Sequence, residues 1–231
     1  MNGVLIVFEG PEGSGKSTHA VSLAIRLESA GYQCLLTREP GGTSIGERIR
    51  AVLLSQESED MSSMTEALLH NAARAQHVDE VIRPALAAGK TVISDRFIDS
   101  TYAYQGGGRG LPHDQLTTLR CLATREIVPS IRVLLDLPVD LGLARRRSDL
   151  SQLNRIDQAD RAFHERVRQT YLTLAGTAPD DWVVLDATLP VKSLEPLIDT
   201  ALRTRLGLTL PALAGPGAEA AGVTSHVGSR S

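Results

Sequence analysis

Cysteine is scarce: the 231-residue chain has only Cys34 and Cys121. They form no metal-spacing motif, and both read as small core residues that a cytosolic chain keeps reduced. Long apolar runs are missing as well. None approaches the roughly 20 residues of a membrane span, and the start shows no basic-then-apolar export signal. The expectation is a soluble, cytoplasmic protein with no membrane partner. A surplus of one charge sign is also absent, the formal net charge being −3. A polyanion-binding surface is therefore not indicated, and nucleic acid is excluded as the expected partner. Lysine is rare. Only Lys16, Lys90 and Lys192 occur among 24 basic residues, the rest being arginine, the better bidentate ligand for phosphate. The length suits one α/β domain with a full core.

What is present is concentrated near the start. Val4 to Phe8 is a short β-branched and aromatic run that reads as a buried strand. It is followed by Gly10-Pro11-Glu12-Gly13-Ser14-Gly15-Lys16-Ser17-Thr18 and then by the helical pattern Ala20, Leu23, Ala24, Leu27. The turn fits G-x-x-x-x-G-K-[ST] at each fixed position, in the strand–turn–helix setting that this phosphate loop requires. Glycines let successive N–H groups face phosphate oxygens, and the helix N-terminus adds its positive dipole end. Lys16 then serves the β- and γ-phosphates, and the Ser17 hydroxyl serves Mg²⁺. These residues are the candidate ATP site.

Further strands are predicted at Gln33–Thr37, Thr91–Ser94, Ile131–Leu135 and Trp182–Leu185. Helical patterns span Ile45–Leu54, Met64–Ala88, Leu116–Leu122 and Val191–Leu206, with an arginine-dense segment over Ala144–Arg168. Alternation of this kind predicts a three-layer α/β fold, a five-stranded parallel sheet with helices on both faces. Ligands bind beyond the carboxyl ends of such strands, and the polar clusters of this chain fall there. Residues 1–206 read as a single domain. The stretch 207–231, rich in Gly, Ala, Pro and Ser, reads as a disordered tail.

A phosphate loop serves many enzymes. No lysine here fits the N/T-K-x-D loop with which GTPases read guanine, and Gln105-Gly106-Gly107-Gly108 lacks the serine of the transport-ATPase signature. The arginine clusters suit a site where two phosphorylated substrates meet. Four stretches then resemble bacterial thymidylate kinases: Glu9 to Ser17, Thr37-Arg38-Glu39-Pro40-Gly41-Gly42-Thr43, Asp95-Arg96-Phe97-Ile98-Asp99-Ser100, and Ala103-Tyr104-Gln105-Gly106-Gly107-Gly108-Arg109-Gly110. The likeness runs from about Val4 to Leu206 in the family's order.

That resemblance implies transfer of a phosphoryl group from ATP to dTMP with Mg²⁺, a nucleoside monophosphate kinase fold with a mobile lid, and a homodimer. It implies roles residue by residue. Arg96 clamps the acceptor phosphate, and Asp95 is the carboxylate on the Mg²⁺ side or holds the phosphate loop. Glu12 lies near the sugar 3′-hydroxyl, with Glu39 and Arg50 on the acceptor side. Arg38 is a further candidate unless it simply pairs with Glu39. Arg74 bonds a thymine carbonyl, and Ser100, Thr101 and Gln105 complete the acceptor site. At position 70, where the family usually stacks a phenylalanine on thymine, this chain has His70. The lid covers about 144–158. Arg155 is its expected γ-phosphate clamp, and at least one of Arg145 to Arg147 is expected on a solvated helix face. A kinase of another monophosphate, or an ATP-binding regulator without phosphoryl transfer, are the competing readings.

Overall fold

The computed structural model describes residues 3–148 and 154–210. Strands β1 (Val4–Glu9), β2 (Cys34–Arg38), β3 (Thr91–Asp95), β4 (Ile131–Asp136) and β5 (Trp182–Asp186) form one parallel sheet in the order β2-β3-β1-β4-β5. Connections from β1 run to one side and those after β3 cross to the other, so β1 stands at the switch point where a ligand crevice forms. Pairing of Phe8 and of Arg38 with Asp95 puts three strand ends level.

Alternation along β1 divides the core. Ile6 and Phe8 face α1 (Lys16–Ser29) and α9 (Val191–Leu206), packing with Leu23, Leu27, Ile198 and Leu202. Leu5 and Val7 face the other way, with Val78, Ile82 and Phe97. Successive side chains of a strand point to opposite faces, and a strand buried on both reads as a continuous apolar run. Cutting a fully buried leucine such as Leu27 to alanine costs about 2–5 kcal/mol.

The predicted 64–88 helix is α3 (Ser63–His77), which passes through a wide π-helical turn at Val78–Ile82 into α4 (Arg83–Ala87). Likewise α5 (Ile98–Thr101) widens into a π-helical stretch, Tyr102–Gly108, that carries the Gln105 motif. Helix α2 (Ser44–Leu54) is capped by Thr43, whose side chain accepts from the Gly46 amide at 2.9 Å. Helix α6 (His113–Thr124) carries Cys121 on its exposed side, away from the buried Leu116, so Cys121 is not the core residue expected; Cys34 is half-buried beside the main core.

The arginine-dense segment resolves into α7 (Val139–Arg147) and α8 (Arg161–Thr177). Helix α8 turns Phe163, Val167, Tyr171 and Ala175 inward against Leu134 of β4. The expected lid, about 144–158, falls on the end of α7 and the connection that leads to α8, and its residues 149–153 lie outside the described residues. Of the expected tail, Leu208 is buried against the main core and the Thr209 amide donates to the Tyr32 hydroxyl at 3.0 Å. Residues 211–231 of it lie outside the described residues.

Candidate active site

Beyond the carboxyl ends of β1, β2 and β3 opens a cleft of about 570 Å³. Its floor is the phosphate loop. Gly15 holds φ +90°, and α1 begins with no side-chain cap, which leaves the first N–H groups of the helix for an anion. Lys16 is 6% exposed, and its Nζ donates to the Pro11 carbonyl at 2.8 Å and the Ser14 hydroxyl at 3.2 Å. Burial, with Arg96 nearby, lowers its pKa to about 8 against the pull of Glu12, Asp95 and Glu9. Gly13, Gly15, Ser17 and Thr18 line the cleft beside it.

Arg96 sits at the end of β3 with φ +73°, a left-handed conformation that a non-glycine residue holds only at a cost. The turn is fixed from beneath. Glu9, fully buried at the end of β1, accepts from the Phe97 amide at 2.9 Å, the Ser100 amide at 3.2 Å, the Ser100 hydroxyl at 2.6 Å and the Tyr171 hydroxyl at 2.8 Å. The Arg96 guanidinium donates to Glu12 at 2.8 Å, to the Tyr104 hydroxyl at 2.9 Å and to the Tyr171 hydroxyl at 3.2 Å. Burial alone would raise Glu12, but Arg96 and Lys16 outweigh it and hold its carboxyl down at about 2. Glu9 goes the other way: burial, reinforced by Asp99, raises it to about 7. Sequence reasoning missed the part played by Glu9 and Tyr171. Glu9 stands inside a quoted motif, and the four-residue apolar spacing of α8 points at Tyr171.

Ser17 and Asp95 meet where β3 ends, the hydroxyl donating to the carboxylate. Two hard oxygen donors beside the phosphate loop fit a Mg²⁺ ion, although no cluster of three or more metal-ligating side chains occurs among the described residues.

The side expected to take the acceptor is built by α2, α3 and α5. Arg74 is 2% exposed and spans the site: Nε donates to Glu39 at 2.7 Å, one terminal nitrogen to Asn71 at 3.1 Å and Thr101 at 2.8 Å, the other to the Phe97 carbonyl at 2.9 Å. Glu39 is held on its far side by His77 at 3.0 Å. Burial would raise Glu39, but Arg74 and His77 bring it below its ordinary value. Arg50 donates to the Pro40 carbonyl at 2.8 Å. Arg38 pairs with Glu47 at 3.1 Å and not with Glu39, whose oxygens Arg74 and His77 already take. His70, Arg74, Ser100, Thr101 and Gln105 all line the cleft. Burial lowers the His70 pKa to about 4, so its ring is neutral at pH 7.

Of the expected site residues, Gly10, Pro11 and Ser14 are buried in the phosphate loop off the cleft wall, and Arg155 is elsewhere. Arg155 is 7% exposed and turns toward α2 and α3, donating to Glu66 at 2.6 Å and to the Leu53 carbonyl at 3.3 Å. A buried carboxylate with backbone oxygens beside it is a stronger claim on a guanidinium than an open cleft wall. Arg145 and Arg146 line the cleft in its stead. Arg145 donates to the Gly13 carbonyl at 3.3 Å and the Ala187 carbonyl at 3.2 Å, and Arg146 forms a two-pronged pair with Asp157 at 2.9 and 2.8 Å. Arg147 is exposed and off the cleft wall.

Comparison with known proteins points to one family. A family model described as thymidylate kinase matches residues 8–198. The thymidylate kinase of Thermomicrobium roseum is 53% identical over 185 residues, 80% of this chain and 87% of that protein. That of Pseudomonas fluorescens strain SBW25 is 50% identical over 206 residues, 89% of this chain and 98% of that protein. The crystal structure of thymidylate kinase from Ehrlichia chaffeensis superposes with a TM-score of 0.70 at 30% identity, covering 87% of this chain and all of that one. The phosphate loop, the Arg96 turn and the cleft lining thus stand in a chain that belongs to the thymidylate kinase family.

Proposed function

We propose that this cleft transfers the γ-phosphoryl group of ATP to dTMP, giving ADP and dTDP, with the following division of labour. The amides of the phosphate loop and Lys16 hold the β- and γ-phosphates. An oxygen of the dTMP phosphate attacks the γ-phosphorus, and the bond to the β,γ-bridging oxygen breaks as ADP leaves. Two phosphate dianions repel, so a planar cation must stand between them, and Arg96 is that cation. Glu12, paired with Arg96, faces the 3′-hydroxyl side of the sugar. Arg50 and Glu39 shape the acceptor phosphate site, while Arg74, Thr101, Gln105 and His70 surround the base. Arg145 and Arg146 supply charge on the lid side.

Ser17 and Asp95 are the residues that would hold Mg²⁺. When bound, the ion neutralises phosphate charge. The chain works in the cytoplasm and pairs with a second copy of itself, as likeness to the family implies; a monomeric mass in solution would refute the pairing. No helix among the described residues is long and apolar enough to cross a membrane.

The observation that carries this reading is the meeting of Lys16, Glu12 and Arg96 with the Arg74–Gln105 wall in one cleft. The test is ADP release with ATP and Mg²⁺ against dTMP, dUMP, UMP, CMP, AMP and GMP. A strong preference for dTMP is expected. Turnover that ignores the acceptor, or none at all, overturns the reading.

A further inference from the structure

Glu66 of α3 is fully buried and appears in none of the roles above. Its carboxylate gathers three side chains. One oxygen accepts from Gln105 Nε2 at 2.8 Å and from Arg109 Nε at 3.3 Å. The other accepts from Arg109 at 3.2 Å and from Arg155 at 2.6 Å. Glu66 does not line the cleft, whereas Gln105 does.

An ionised carboxylate only accepts hydrogen bonds. Two guanidinium groups on Glu66 keep it ionised: burial would raise its pKa, but its bonds from Gln105, Arg109 and Arg155 bring it below the ordinary value. The amide of Gln105 therefore has one chemically sensible orientation, with its nitrogen on Glu66 and its carbonyl turned to the other side. Beside it, four of the five N–H groups of Arg74 have partners among the described residues, which leaves one N–H to donate. Both residues line the cleft, and with that N–H and that carbonyl turned to it the wall would offer a donor next to an acceptor. A thymine or uracil edge, with a ring carbonyl next to the N3–H, is the complement. A cytosine edge, with an amino group next to an unprotonated N3, mismatches at both points.

We propose that Glu66 is a positioning residue for base selection: by fixing the polarity of the Gln105 amide, it makes the cleft reject pyrimidines that lack an N3–H donor. This deepens the proposed function and rests on it. Rejection comes from leaving polar groups unpaired, which discriminates more sharply than a lost apolar contact.

The experiment compares kcat/KM for dTMP and dCMP in wild type, Glu66→Gln, Gln105→Ala and the double variant. In E66Q the new amide can face Gln105 with either end, so the dTMP-to-dCMP ratio is expected to fall about tenfold, the loss of one directional hydrogen bond. KM for ATP should stay within about twofold, an allowance smaller than one hydrogen bond. Because Glu66 acts through Gln105, adding E66Q to Q105A should not lower the ratio further. A ratio unchanged in E66Q, or one that falls again in the double variant, overturns the proposal. A merely structural Glu66 would lower the melting temperature without moving the ratio. Should E66Q fail to fold, NMR of wild type decides: the Gln105 side-chain NH₂, assigned by its loss in Q105A, must exchange slowly with solvent, and fast exchange overturns the proposal. Absence of dTMP-dependent turnover in wild type would instead overturn the proposed function.

Discussion

Gly13 of the phosphate loop and Gly142 of α7 meet backbone to backbone. A Cβ on Gly13 would stand 2.4 Å from the Gly142 carbonyl oxygen, and one on Gly142 would stand 2.3 Å from the carbonyl oxygen of Glu12. Helix α7 is thus pressed against the phosphate loop, with no side chain between them.

That contact makes Gly142→Ala informative. Within a helix, alanine is favoured over glycine by about 1 kcal/mol, so propensity alone predicts a more stable protein. The clash is with backbone and cannot be relieved by a rotamer, so the loop or α7 must shift. KM for ATP is expected to rise about tenfold or more, since small misplacements of a binding loop are costly, with KM for dTMP changed less. An unchanged KM for ATP in steady-state kinetics would show that α7 moves freely away.

Arg96→Lys tests whether charge or shape matters. Lysine keeps the charge but cannot reach Glu12, Tyr104 and Tyr171 together as the planar guanidinium does. The loss in kcat is expected to be on the order of 10²–10³-fold, as for removal of one transition-state donor, and alanine should do no better. Turnover of either variant near that of wild type would remove Arg96 from the clamp.

Lys16 gives an alkaline limit. With its pKa lowered to about 8, the ammonium of the free enzyme loses its proton above that pH. kcat/KM for ATP, which reports the free enzyme, should decline above about pH 8, while kcat should hold to higher pH because bound phosphates stabilise the ammonium. A kcat/KM profile flat to pH 10 contradicts the assignment.

Glu9 works in the opposite sense. A carboxyl raised from 4.5 to about 7 binds its proton more tightly in the folded chain. Its contribution to stability is present below pH 4.5 and is lost as pH rises through 7. Glu9→Gln removes that dependence. Between pH 5 and pH 8 the stability difference from wild type should move on the order of 1–3 kcal/mol in favour of the variant, as a shift of this size allows. Urea unfolding at the two pH values measures it, and a constant difference would contradict the shift.

The strands and the phosphate loop were legible because local pattern suffices for them, apolar runs and fixed glycine spacing; Arg74 and Gln105 were singled out only through the family resemblance, and both line the cleft. The position of Arg155 was not legible, because the residue lies in a turn 89 positions from its partner Glu66, and no spacing between them announces the pair. Glu9 and Tyr171 were missed for the same reason, being 162 positions apart and joined only by folding. Helix α8 was obscured by its arginines, which decorate the outer face of an ordinary apolar stripe.

His70 stands where the resemblance leads one to expect a phenylalanine, and the consequence can be measured. Burial lowers the pKa of the ring to about 4, so through the working pH range it presents a neutral imidazole to the cleft. KM for dTMP should therefore show no step near pH 6.5, the ordinary histidine value. A neutral ring still stacks, but it is smaller than phenylalanine and less apolar, and an aromatic pair contributes about 0.5–1.5 kcal/mol beyond its buried area. His70→Phe is accordingly expected to lower KM for dTMP by about two- to tenfold with kcat little changed, because stacking holds substrate and transition state alike. A higher KM in the phenylalanine variant would mean that the imidazole is used as a hydrogen-bonding group and not as a face. A step at pH 6.5 would mean that the ring is open to water.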